Sequence, residues 1–269
     1  MKQASQQEFL KNRKDLQKVA LAPAQNLSVP GKPNHRKRLI RRIWNKFGGL
    51  LAELSTILKI DPAVAVAILC VESTGRGFAG DGQTTRPGRM IIRFENHIFW
   101  KYWGKSHQSD FLTHFKFNRR RPWRGHQFRK TLKAKWVTFH RKGQAGEWKA
   151  FEFARSKHQR FSTYSISMGM PQIMGFNHQR IGYESVKKMF DSFSRNEKNQ
   201  IMGLFDFFNC ANSKMTQALR RKNFLTFARL YNGPAKAAVY ADRIKTYCQE
   251  FKELTQKNVD KYASQRILA

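Results

Sequence analysis

The chain has 269 residues, 41% hydrophobic and 13% aromatic, which is enough to bury a sizeable core and too apolar for a disordered polyelectrolyte. Its 51 Lys and Arg against 18 Asp and Glu leave a net charge of +33. Such a field draws the molecule to polyanions, whether nucleic acid, teichoic acid, lipopolysaccharide or anionic lipid, and does not choose among them. No apolar run reaches membrane-spanning length, and the first residues lack the apolar core of a secretory signal, so synthesis in a cytoplasm without a signal peptide is expected.

Residues 1–42 form, by composition, a basic N-terminal arm and linker. Residues 1–46 carry 12 Lys/Arg against 2 Asp/Glu, a net of +10. Residues 6–21 fit a short, weakly amphipathic helix, and Pro23, Pro30, Gly31 and Pro33 mark a linker. The run His35-Arg36-Lys37-Arg38 to Arg41-Arg42 suits a solvated tail or the polar face of a helix. Residues 43–269 are expected to make one helix-rich domain. Ile43, Phe47, Leu50, Leu51, Leu54 and Leu58 recur at helical spacing over 43–58. Asp61-Pro62 then restarts a helix, Asp as N-cap and Pro at the first helical position. It runs through Ala63–Val71 to Glu72, and Gly75 and Gly77 end it. Apolar on nearly every face, it belongs at the centre of the fold. Residues 78–92 are rich in turn formers and predict an irregular loop or small hairpin. Residues 101–160 carry 17 Lys/Arg against 3 Asp/Glu, a net of +14. Further helices are expected at 147–158, 179–191, 196–211, 214–221, 223–230 and 235–257.

Glu72 is the first candidate for chemistry. Ala65, Ile68 and Leu69 share its helix face. A carboxyl at the end of a buried helix is desolvated and sits near the negative pole of the helix dipole. Both effects raise its pKa, as a general acid near neutral pH requires. A Glu in the last turn that points to solvent fits this pattern equally well. His107, His114, His126, His140 and His158 lie in a basic stretch with neither a His-x-x-x-His nor a Cys-x-x-Cys pair, so no metal and no cofactor are expected. Cys70, Cys210 and Cys248 show no metal-ligand spacing. Their odd number rules out a complete set of intrachain disulfides, and three buried thiols fit better than a Cys210–Cys248 bridge.

Several words of the sequence stand in a known order. They are Val71-Glu72-Ser73-Thr74-Gly75-Arg76-Gly77-Phe78, Asp81-Gly82, Ile92-Arg93-Phe94-Glu95-Asn96-His97-Ile98-Phe99-Trp100, Gly146-Glu147, Ser165–His178 and Phe227-Ala228-Arg229-Leu230-Tyr231-Asn232-Gly233-Pro234. Together they resemble the N-acetylmuramidase domain of many phage endolysins, within the lysozyme-like superfamily, over roughly residues 50–250. The resemblance implies a mainly α, lysozyme-like helical domain with a small β-hairpin or irregular loop beside the cleft. It implies that Glu72 is the acid of a Glu-Ser-x-Gly motif and Glu95 the second catalytic carboxylate of a Phe-Glu-x-His motif. Glycan cleavage commonly uses such a pair; a structural role for Glu95, bonded to Arg93 or the nearby loop, stands beside it. The resemblance also places Ser167, Gly169 and Gln172 in the turn that lines the sugar cleft, Tyr231 near the acid, and the Asn232 amide on an N-acetyl group. The sequence departs from the family at Met168, where Trp is usual, and at Pro171, where an apolar or aromatic residue is usual. Extra residues within Gln83–Met90 lengthen the Glu72–Glu95 spacing.

The implied activity is hydrolysis of the bond between N-acetylmuramic acid and N-acetylglucosamine in peptidoglycan, by a monomer that reaches the bacterial wall and periplasm. The basic surface would hold it on anionic envelope polymers or lipopolysaccharide. Two alternatives remain at this point. One is a lytic transglycosylase that leaves anhydro ends. The other is a non-enzymatic nucleic-acid-binding protein using the basic clusters at 36–42 and 119–135 with the interleaved Phe117, Trp123, Phe128 and Trp136.

Overall fold

Helices make up most of the computed structural model, which describes residues 8–29, 31–73, 75–80, 88–209 and 213–267. In chain order they are α1 (Lys14–Lys18), α2 (His35–Leu58), α3 (Pro62–Ser73), α4 (Asn96–Tyr102), α5 (Gln108–His114), α6 (Gly143–Lys157), α7 (Gln159–Tyr164), α8 (Val186–Arg195), α9 (Glu197–Asn209), α10 (Ser213–Arg220), α11 (Phe224–Asn232) and α12 (Ala237–Ile267). Short strands lie among them: β1 (Ile92–Phe94), β2 (Phe115–Lys116), β3 (Gln127–Phe128), β4 (Ile166–Met168) and β5 (Ile173–Met174). The expected mainly α architecture with a small antiparallel element is what forms. The chain divides into two units, Met1–Gly75 with Ile201–Ala269, and Arg76–Gln200.

In the first unit α2 starts at His35 rather than Ile43, because Asn34 caps it by accepting from the Lys37 N–H at 2.8 Å. The basic run therefore forms the first turns of a helix whose Leu39, Ile40 and Ile43 are buried. The preceding segment is tied down as well. Leu10 and Leu16 are buried, and the Leu10 N–H donates to the buried Asp206 carboxylate at 2.7 Å. Helix α3 begins as its sequence demands, with Asp61 Oδ1 accepting from the Ala63 N–H at 2.9 Å. Every residue from Ala63 to Cys70 is at most 1% exposed, and the helix packs on α2 and α12. Each buried Val, Ile or Leu there contributes on the order of 1.5–3 kcal/mol, which makes α3 a rigid platform for whatever stands at its end. Cys70 and Cys248 are buried free thiols; burial pushes both up, Cys248 to about 12. Cys210 lies outside the described residues.

The second unit is built around a three-stranded antiparallel sheet of order β1-β4-β5. Ile92, Arg93 and Phe94 oppose Met168, Ser167 and Ile166, and Ser167 and Met168 oppose Met174 and Ile173. Met168, where the resemblance expects Trp, is fully buried. A cluster of rings explains much of the Phe content: Phe94 touches Phe99, Phe115, Phe139 and Phe151. The expected loop or hairpin at 78–92 closes through a Phe78–Met90 bridge and an Ala79 N–H to Arg89 bond of 2.9 Å. Asp81-Gly82 and most of the Gln83–Met90 insertion lie outside the described residues. The helix expected at 179–191 is broken. A 3-10 segment, Gly175–Ile181, ends at Gly182 in the left-handed region, and Ser185 then caps α8 through its hydroxyl. No single helix among the described residues is long and apolar enough to cross a membrane.

Candidate active site

Glu72 stands in the last turn of α3, where the buried apolar helix runs out. Its two oxygens face two phenols. Tyr231, near the end of α11, donates to Oε2 at 3.3 Å, and Tyr240, in the first turn of α12, donates to Oε1. Burial raises the Glu72 pKa; the two tyrosine hydrogen bonds and the charge of Arg243 oppose it without cancelling it. Burial and the neighbouring carboxyl likewise push both phenols up, so they stay protonated as donors. The rings form a wall: Tyr231 stacks on Phe227 at 5.5 Å and meets Phe207 edge-on at 5.7 Å. Asn232 follows, exposed, and its amide tempers the upward shift of the Tyr240 phenol. The first unit therefore places Glu72, Tyr231 and Asn232 near one another, with Tyr240 beside them. Nothing in the sequence marked Tyr240 beyond an aromatic residue near a helix start.

The second unit holds the other named residues. Gly169 and Gln172 shape the turn between β4 and β5, both with positive φ, +65° and +50°. A Cβ at Gly169 would lie 2.6 Å from Gln200 Cδ, so the position admits glycine alone. Gln200 is itself buried and fixed, accepting from the Met170 N–H at 2.7 Å and donating to Phe193 O at 2.8 Å. Gln172 folds back into its own turn: Ser167 donates to Oε1 and Nε2 donates to Gly169 O, both at 2.7 Å. An amide can make further bonds beyond these two.

Glu95 lies between β1 and α4, its N–H bonded to Ser165 O at 2.8 Å. The side chain is only 14% exposed. Arg93 donates to Oε1 at 2.8 Å, while Oε2 lies 3.4 Å from Nδ1 of both His97 and His126. Burial pulls the Glu95 pKa up, but the contacts with His97, His126 and Arg93 outweigh it and hold the group below the usual range. The two candidate carboxyls thus differ in kind, Glu72 biased to its acid form and Glu95 to its anion. A third carboxylate, Glu147 of α6, is buried and organises β1. It accepts from the Phe94 N–H at 2.9 Å and faces His140 Nδ1 at 2.6 Å. A cavity of about 760 Å³ between α6, α7 and α8 contains none of these groups.

The model of the N-acetylmuramidase family matches residues 61–252, which is most of the chain and includes every site residue above. The chain belongs to the N-acetylmuramidase family. It is a peptidoglycan hydrolase with a lysozyme-like fold. The fold is similar to that in the crystal structure of Burkholderia AP3 phage endolysin, at 24% identity and a TM-score of 0.57, over 76% of this chain and 70% of that one. No curated protein matches the sequence. Family membership leaves the roles of individual side chains to chemistry, and that chemistry centres on the Glu72–tyrosine cluster.

Proposed function

We propose that this muramidase cleaves the glycosidic bond between N-acetylmuramic acid and N-acetylglucosamine, with Glu72 as general acid. The observation that carries the reading is a desolvated carboxyl at the end of a rigid helix, ringed by two phenols that hold its orientation. In the acid form Glu72 delivers its proton to the leaving glycosidic oxygen; the resulting carboxylate is then stabilised by the Tyr231 and Tyr240 hydroxyls. Positive charge developing at the anomeric carbon calls for an anion, and Glu95, held ionised, is the proposed second carboxylate. Gln172 and Asn232 are the proposed sugar contacts, through amide valences left after their internal bonds. Ser167 and Gly169 act by holding the Gln172 turn in shape. Likeness in fold to a phage endolysin supports a lytic role at the bacterial wall.

The basic face at 119–135 suits adhesion to anionic envelope polymers. It suits nucleic acid less well, because its rings are already engaged. Trp136 lies under Lys116 and Arg129 at 4.4 and 4.5 Å, Arg119 covers Phe117, and Phe128 is buried. Of the four rings only Trp123 stands free as an exposed platform, at 64%.

Glu72→Gln tests the acid assignment. Clearing of purified peptidoglycan should fall by at least about 100-fold, the usual scale of general acid catalysis, with salt-sensitive DNA retention unchanged. A variant that clears like the wild type would remove Glu72 from the mechanism. Mass spectrometry of the released fragments should find reducing ends; anhydro ends alone would make the enzyme a lytic transglycosylase.

A further inference from the structure

We propose that Glu95, His97 and His126 form a binding site for a divalent transition-metal cation of the Zn2+ class. The expectation of no metal rested on the surrounding positive charge and on sequence spacing, which keeps His126 far from the Glu95-Asn96-His97 word. The fold brings them together: one ligand atom from each residue lies within 4.8 Å of the other two. Asn96 makes the junction. Fully buried, it donates to Lys116 O and Gln127 O, both at 2.8 Å, and so fastens the β2–β3 hairpin to the start of α4. That clamp holds His126 beside Glu95.

Arg93 reaches only Oε1 of the carboxylate, and the oxygen that faces the two imidazoles is left without a close donor. Glu95 Oε2 and His97 Nδ1 are both buried without a hydrogen-bond partner. His126 Nε2–H donates to Pro122 O at 2.7 Å, which leaves the Nδ1 lone pair on the side of Oε2, 3.4 Å away. Two lone-pair acceptors in contact, out of water, repel unless a proton or a metal cation lies between them. The only bond His126 Nδ1 accepts among the described residues is a long one, 3.3 Å from the Asn96 N–H.

The spacing fits the ion. Tetrahedral zinc with bonds of about 2.0–2.1 Å has ligand atoms roughly 3.3–3.4 Å apart along each edge. Two of the three edges here, from Oε2 to each Nδ1, measure 3.4 Å. The outer partners are those that metal-bound groups commonly have: a backbone carbonyl on the far nitrogen of His126, and Arg93 on the far oxygen of Glu95. Two imidazoles and one carboxylate favour zinc or cobalt over magnesium or calcium. The His126 side chain is wholly buried and that of His97 is 26% exposed, so His97 gives the cation its entry and a water its fourth position. The Arg93 guanidinium adds a positive charge nearby, about half exposed and therefore screened; it sets the affinity below that of an all-protein structural zinc site. Glu72 supplies no ligand, and the proposal does not depend on its role; with Zn2+ bound, Glu95 is a metal ligand and not the free second carboxylate.

Isothermal titration calorimetry of the chelator-treated full chain with ZnCl2 tests the site. One Zn2+ per chain should bind, with affinity reduced at least about 100-fold in both Glu95→Gln and His97→Ala, a loss no smaller than that from deleting a supporting group. His107→Ala and His158→Ala should bind like the wild type. X-ray absorption on the Zn2+-loaded wild type, which needs no variant to fold, should find nitrogen and oxygen neighbours at about 2.0–2.1 Å including two imidazoles. The proposal is overturned by an absence of saturable binding, by folded Glu95 and His97 variants that bind as the wild type does, or by a sulfur ligand. Glu72→Gln should bind Zn2+ normally while failing to clear peptidoglycan, so the metal site and the acid assignment fail separately.

Discussion

Replacing Tyr240 by Phe isolates what the phenols do for Glu72. The substitution removes the hydroxyl that donates to Oε1 and keeps the ring against Phe227 and Tyr231. Burial raises the Glu72 pKa, and the tyrosine bonds oppose that rise, so losing one of them leaves the carboxyl protonated to higher pH. A hydrogen bond to a charged acceptor is worth about 1.5–3 kcal/mol, which corresponds to a roughly 10- to 100-fold weaker ionisation of Glu72. For a general acid that must be protonated, the alkaline limb of kcat/KM against pH reports this group. In Tyr240→Phe that limb should move to higher pH, and in Tyr231→Phe, which loses only a 3.3 Å bond, it should move less. Turbidity clearing of purified peptidoglycan across the pH range gives the profile, with unfolding curves at each pH to show that the variants are folded. An alkaline limb that stays in place or moves to lower pH in a folded Tyr240→Phe would refute the reasoning.

Asp206 predicts a pH dependence of stability at a position outside the chemistry. Burial lifts its pKa to about 7, against the opposing N–H bonds of Leu10 and Lys11. A carboxyl raised in the folded state stabilises fully below its unfolded value, and that contribution is lost as pH rises through the folded value. The loss is on the order of 4 kcal/mol between about pH 4 and pH 7. Asp206→Asn should flatten the curve of urea midpoint against pH over that window; an unchanged slope would assign the pH dependence elsewhere. Gly169→Ala should cost about 2–4 kcal/mol, since alanine is strained at φ +65° and its Cβ meets Gln200. A urea-derived loss under about 0.5 kcal/mol would mean that the turn relaxes freely.

Local chemistry made much of this protein legible from its residues in order. Asp61-Pro62 and the unbroken apolar run behind it dictate a buried helix, because a side chain caps one end and there is no polar face to show to water. Where that helix ends, the sequence left Glu72 open to water or to burial, and the packing of Tyr231 and Tyr240 against its carboxyl decided for burial. Gly182 and Ser185 were less legible: a left-handed stop and a fresh cap interrupt a periodicity that continues across them. The basic run before Ile43 also fits both a tail and a helix face, and the choice fell to Asn34 and to the burial of Leu39 and Ile40. What only the tertiary structure decided is which distant groups meet. Tyr240 reaches Glu72 across 168 positions, Leu10 reaches Asp206 across 196, and His126 reaches Glu95 because Asn96 pins a hairpin. Periodicity reports which face of an element is apolar, since that is set by neighbours along the chain. The partner of a buried polar atom is set by packing between elements, and no spacing along the sequence encodes it.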